Sequence, residues 1–177
     1  MAPVFHYDSR SAASRTRSVR QRSRTIQVDI HRDVRCSQEI AFDYMTDPRN
    51  DLEWWLGVLE TRITSPGDHG VGTTYTQRCR LMGLRFEIAF ECLAYDRPRM
   101  IHLKTTSGIT PFEAEYTFEP LAGGGTRVRL TGPVRGDGLL FKLAGPLFRS
   151  ILNRQTERYF DNLKRILDEK AASTAAA

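Results

Sequence analysis

The sequence predicts an α+β fold: a seven-stranded, curved antiparallel sheet around a long C-terminal helix, with two short helices after the first strand. Three observations predict it. Between Gly72 and Thr131, five stretches alternate apolar and polar residues, the pattern of strands with one dry face and one wet face. The links between them are short and built of turn residues (Met82-Gly83, Arg97-Pro98, Pro111, Gly123-Gly124-Gly125), so successive strands pair as antiparallel neighbours. Leu139–Lys170 is then the one long segment with helical periodicity left to cover the dry face.

The elements follow in order. In 25–32, Ile26, Val28 and Ile30 alternate with Gln27, Asp29 and His31, which reads as the first strand. Ser37 can cap a helix over 38–46 that Asp47-Pro48 stops, and Asn50 or Asp51 can cap a short second helix carrying Trp54 and Trp55, ended by Gly57. Strands are expected at 58–65, 72–81, 84–95, 99–107, 112–119 and 125–132. If Met82-Gly83 is a two-residue turn, Cys79 faces Phe86 and Cys92 faces Thr73, so the two cysteines do not meet. They and Cys36 read as free thiols in a reducing compartment. In the last helix, Leu140, Ala144, Leu147, Phe148, Ile151, Gln155, Tyr159, Leu163 and Ile166 fall on one arc, and Pro146 marks a kink or a fresh start.

Composition bounds the function. Apolar residues at 40% and charged residues at 27% suit an ordinary globular chain, and one domain over 25–170 is expected. The net charge of +5 sits entirely in residues 1–24, where six arginines face one acid, Asp8, so the high pI says nothing of a basic face on the folded part. That Arg- and Ser-rich stretch reads as a disordered tail, with weak docking on an anionic partner as the alternative, and 171–177 reads as a second tail. No apolar run is long enough to span a bilayer, and no secretory leader is evident, which points to the cytoplasm. No cysteine–histidine spacing suits a metal, and no nucleotide or cofactor motif is present.

A sheet of seven strands about 4.8 Å apart is roughly 30 Å wide, and one helix covers about 10 Å of it. Unless the sheet curls and its large side chains fill the gap, a hollow is expected. Its predicted lining comprises Tyr75, Gln77, Phe86, Ile88, Phe90, Leu103, Thr105, Tyr116, Phe118 and Val128 from the strands, and Phe148, Ile151 and Gln155 from the helix. A few polar groups on an apolar wall are the makings of a small-molecule pocket. Trp54 and Trp55 read as packing anchors.

The blocks SQEIAFDYMTDPRNDLEWW (37–55), GVGTTYTQRCRLMGLRFEIAFECLAYDRPRMIHLKTTSG (70–108) and FEAEYTFEPLAGGGTRVRL (112–130), with the terminal helix, resemble the START/Bet v1-like (SRPBCC) superfamily, in its polyketide cyclase/dehydrase-like branch. The resemblance implies a helix-grip fold enclosing an apolar tunnel. Members bind lipids, sterols, quinones, polyketides or plant hormones, and some cyclise or dehydrate polyketides. It implies no invariant catalytic set.

Cyclase chemistry needs a proton acceptor beside an acidic carbon and a donor for the developing oxyanion. On the alternation, Glu87, Glu91, Glu113, Glu115, Glu119, His31 and His102 all face outward, and His69 falls in a Gly-rich loop at the rim. The expected interior thus holds phenols, amides and a hydroxyl, which orient a ligand but are poor bases. The sequence therefore favours a binder or carrier of a hydrophobic small molecule (lipid, polyketide or quinone-like). A polyketide cyclase/dehydratase using the same cavity is the alternative, and no catalytic residue is assigned.

Overall fold

The computed structural model describes residues 24–81, 83–108, 111–136 and 139–175; the Arg-rich stretch before Arg24 and the side chain of Phe148 lie outside the described residues. The chain runs β1 (Arg24–Val34), α1 (Gln38–Thr46), a 3-10 turn (Pro48–Asn50), α2 (Asp51–Trp54), β2 (Val58–Ile63), β3 (Thr74–Leu81), β4 (Leu84–Asp96), β5 (Met100–Ser107), β6 (Glu113–Pro120), β7 (Thr126–Gly136) and α3 (Leu139–Ala175). All seven strands form one antiparallel sheet in the order β1-β7-β6-β5-β4-β3-β2, a meander whose first strand closes beside the last. The expected fold class is the observed one.

Local chemistry sets the boundaries. The Ser37 hydroxyl accepts from the Ile40 backbone N–H at the start of α1. Asp47 ends α1, and its carboxylate accepts from the Arg49 N–H to start the 3-10 turn. Asn50 is spent otherwise: its side-chain amide donates to the Tyr44 carbonyl at 2.8 Å, which folds the turn back on α1. The β3–β4 hairpin has the expected register, with Cys79 opposite Phe86, and the Thr73 carbonyl accepts from the Cys92 N–H. All three cysteines are buried and free.

One irregularity decides where β5 points. The β4–β5 register shifts between Cys92 and Ala94, and the extra residue, Leu93, turns to solvent. The bulge is absorbed on β4, so Tyr95 faces the core while β5 keeps its alternation. Ile101 and Thr105 stay in, and His102 stays out, 3.6 Å from Glu113 on the outer face.

The dry face packs into two clusters. The larger gathers Phe42, Phe118, Val128, Tyr116, Phe160, Leu163 and Leu167 beneath α1 and the C-terminal half of α3. The smaller holds Tyr75, Cys79, Ile88 and Phe90 on β3 and β4; half-buried Trp55, Leu103 and Phe112 touch both. On α3 the buried stripe is Phe160, Leu163, Ile166 and Leu167: Leu163 and Ile166 lie on the expected arc, where Tyr159 is half-buried, and Phe160 and Leu167 widen it. Away from that stripe, Arg32 on β1 pairs with Glu157 and Asp161. The helix passes Pro146 without a break and continues beyond Lys170 through Ala171–Ala175, where the Ser173 and Thr174 hydroxyls bond back to the carbonyls four residues earlier.

β7 and β6 approach closely at Gly132, where a Cβ would lie 2.0 Å from the Glu113 carbonyl oxygen. Gly132→Ala is expected to destabilise the fold by about 1–3 kcal/mol, read as a lower denaturant midpoint. Gly123→Ala, with nothing within 4 Å of the added atom, should leave the midpoint unchanged.

Candidate functional site

Where the two clusters meet, the dry face is not closed. A pocket of about 20 Å³, room for one water molecule, lies under α2 and is bordered by Asp51, Trp54, Trp55, Tyr75, Tyr95, Leu103 and Tyr116. Among the described residues the space shown is this narrow pocket; the side chains of 139–149, expected to border the rest of the wide hollow, lie outside the described residues. Stacked and edge-on rings, Tyr75 on Phe90 at 4.9 Å, Phe90 on Phe112 at 5.6 Å and Phe42 on Phe118 at 5.2 Å, pack the dry face on either side of it.

At the inner end is a carboxyl group that alternation along the strands could not reveal. Asp51 opens α2, yet its side chain turns inward and is 5% exposed. Its Oδ1 accepts from Trp54 Nε1 at 2.9 Å, and its Oδ2 accepts from Gln77 Nε2 at 2.6 Å. Gln77, fully buried on β3, also donates to the Thr61 hydroxyl on β2 at 3.3 Å, and its Oε1 has no partner among the described residues. One polar knot thus ties α2 to two strands. The expectation that no carboxylate faces the interior is overturned, because Asp51 arrives from a helix end and not from a strand.

Burial pushes the Asp51 carboxyl up to about 7; the bonds from Gln77 and Trp54 pull it back, and the nearby charge of Asp47 adds to the rise. Burial likewise raises the phenols of Tyr75 and Tyr116, with Asp51 a further cause, so both stay protonated. Neither hydroxyl has a hydrogen-bond partner among the described residues. The β2–β3 loop, held by the Thr64 and Thr74 hydroxyls at 2.8 Å and by Gly70 N–H on the Thr73 hydroxyl at 3.0 Å, brings His69 to the rim, as its position in the sequence suggests.

The predicted lining residues divide. Tyr75, Leu103 and Tyr116 border the pocket, and Gln77 stands behind Asp51. Phe90 backs the ring stack, with Ile88 and half-buried Phe86 in the smaller cluster. Thr105 is committed to β6, its hydroxyl accepting from the Phe112 N–H at 2.9 Å. Phe118 and Val128 lie in the larger cluster, away from the pocket, and Ile151 and Gln155 are half-buried on α3. Trp54 and Trp55 do more than anchor: both border the pocket, stacked at 6.0 Å. Among the described residues no group of histidines, cysteines or carboxylates is arranged to hold a metal.

Seven antiparallel strands packed against one long C-terminal helix, with two short helices after the first strand, define an α+β class of fold. The chain belongs to the family described as polyketide cyclase / dehydrase and lipid transport, which it matches over residues 25–168. Similar solved structures share this START/Bet v1-like fold. They include TTHA0849 from Thermus thermophilus (18% identity, TM-score 0.69, covering 84% of this chain and 99% of that one). A START superfamily protein from Mycobacterium smegmatis matches at 13% identity and TM-score 0.69, covering 81% and 97%. The Zhui aromatase/cyclase from Streptomyces sp. R1128 matches at 16% identity and TM-score 0.65, covering 84% and 94%. No curated protein matches the sequence. The family and fold are consistent with hydrophobic ligand binding or cyclase-like function. No helix among the described residues is long and apolar enough to cross a membrane.

The raised Asp51 pKa carries a stability consequence. An unfolded aspartate ionises near 3.8, so between that value and about 7 the folded state binds the extra proton and stability falls as pH rises. Asp51→Asn keeps both bonds if the Gln77 amide turns over. Relative to this variant, the wild-type denaturant midpoint should drop between pH 5 and 8 and level off above it.

Proposed function

We propose that the protein binds a hydrophobic small molecule in the pocket between the sheet and α2, within one ligand-handling domain over 25–170 and in the cytoplasm. The observation that carries this reading is a buried polar knot, Asp51–Gln77, at the inner end of an aromatic pocket: apolar walls supply affinity and the knot supplies orientation. The seam as it stands admits only a small group. A larger ligand enters by displacing Trp55, which is half-buried against Tyr159 of α3. A carrier among lipid-, polyketide- or quinone-like molecules fits this arrangement, and the family description includes lipid transport.

A specific observation also favours the cyclase/dehydratase reading. Asp51, near neutral in pKa, shares the pocket with two phenols free to donate to a carbonyl oxygen, and the fold is that of an aromatase/cyclase. The anionic partner considered for the Arg-rich stretch finds no support in the family or the fold.

Titration with the neutral apolar dye N-phenyl-1-naphthylamine tests the binding reading. Saturable binding at one site per chain is expected, weakened about tenfold (about 1.4 kcal/mol) in Leu103→Phe, which fills the seam. Binding that never saturates, or is indifferent to Leu103→Phe, would sink it.

A further inference from the structure

We propose that the inner end of the pocket is an amine site, where the Asp51 carboxylate and the surrounding rings receive the ammonium group of a hydrophobic amine. The proposal deepens the ligand-binding reading and rests on it. Four observations converge. The residues bordering the pocket include one acid, Asp51, and no lysine or arginine, so a buried carboxylate lacks a cationic partner. Within the knot the two donors, Trp54 Nε1 and Gln77 Nε2, are already committed to the carboxylate, which retains free lone pairs, and behind it Gln77 Oε1 accepts from nothing among the described residues. The missing group is therefore a donor. Two indoles and three phenols, Trp54, Trp55, Tyr75, Tyr95 and Tyr116, wall the space, and ring faces attract cations. The volume, about 20 Å³, is that of a water-sized head group. A carbonyl ligand could accept from the Tyr75 and Tyr116 hydroxyls but would leave the carboxylate without a counter-charge, and an anion would be repelled.

Binding a cation stabilises the ionised form of Asp51, so the amine displaces a proton below about pH 7 and affinity rises with pH. Other titratable groups face Asp51. The 3-10 turn brings Asp47, itself paired with Arg49; the β2–β3 loop brings His69; α1 brings Tyr44. The sheet contributes the Tyr75 and Tyr116 phenols and the Cys79 and Cys92 thiols, all raised by burial. From α3, Phe160 and Asn162 meet α2, and neither titrates. Protonated His69 would also repel an amine, so a His69→Gln variant separates its effect from that of Asp51.

Trp54 and Trp55 are the chain's two tryptophans, and both border the pocket, so their fluorescence reads occupancy directly. The full chain is titrated with n-hexylamine and with hexan-1-ol at pH 6 and pH 8. Hexylamine binding should tighten about tenfold from pH 6 to 8, with proton release seen by calorimetry in two buffers of different ionisation enthalpy, while hexanol binding stays flat. His69→Gln should keep that pH dependence; Asp51→Asn should lose it and bind the amine no better than the alcohol. Hexanol binding with hexylamine no tighter, or with hexylamine affinity flat in pH, overturns the amine site and leaves the ligand-binding reading standing. If neither compound binds, both readings fall. The wild-type comparison decides the matter even if Asp51→Asn does not fold.

Discussion

A seven-stranded sheet with one dry face has more apolar surface than a single helix can hide, and this constraint organises the molecule. The helical cover is shared. The C-terminal half of α3 takes the β1 side, α1 buries Phe42 against Tyr95 and Phe118, and α2 lays Trp54 against Phe160. Each piece is pinned at its edge by polar contacts: Arg97 bonds both oxygens of Asp43 at 2.7 Å, and the Asn162 amide donates to the Glu53 and Trp54 carbonyls at the end of α2. The exposed ion pairs contribute little stability individually. Their effect is to fix where each apolar face lands.

The same division explains why a site forms under α2. A helix of four residues cannot seal the sheet, and its first residue must place a carboxylate either in water or indoors. Asp51 goes indoors because Gln77 and Trp54 supply donors there. The burial is only partly compensated, since a full charge would need more than two neutral donors to replace water. The result is a carboxyl near the midpoint of its titration at neutral pH, beside rings and next to an acceptor with nothing to accept. Such a group is poorly suited to be mere filling.

Much of this was legible along the chain. Period-two alternation placed Tyr75, Phe90, Ile101, Tyr116 and Phe118 inward, and the short hairpin at Gly83 fixed the β3–β4 register, because a tight turn leaves few alternatives. The bulge at Leu93 left no signature, since an extra residue looks like ordinary strand until its partner is known. Asp51 was invisible for a related reason: an acid in the first turn of a helix normally satisfies the helix dipole at the surface, and only packing, which brings Gln77 of β3 beside Trp54, gives it two donors inside. The cavity's size was likewise beyond period-two reasoning, because the rings' rotamers and the sheet's curl set it.

Polar contacts fasten the C-terminal half of α3 to the end of β1. Arg32 holds Glu157 and Asp161, the Lys164 ammonium donates to the Asp33 carbonyl, and the Arg35 backbone N–H reaches the Asp168 carboxylate at 2.7 Å, all within the C-terminal half of the helix. Residues 32–35 and 157–168 are thereby held in one register, so the last strand-end of β1 and this half of the helix behave as a single brace along the sheet's margin.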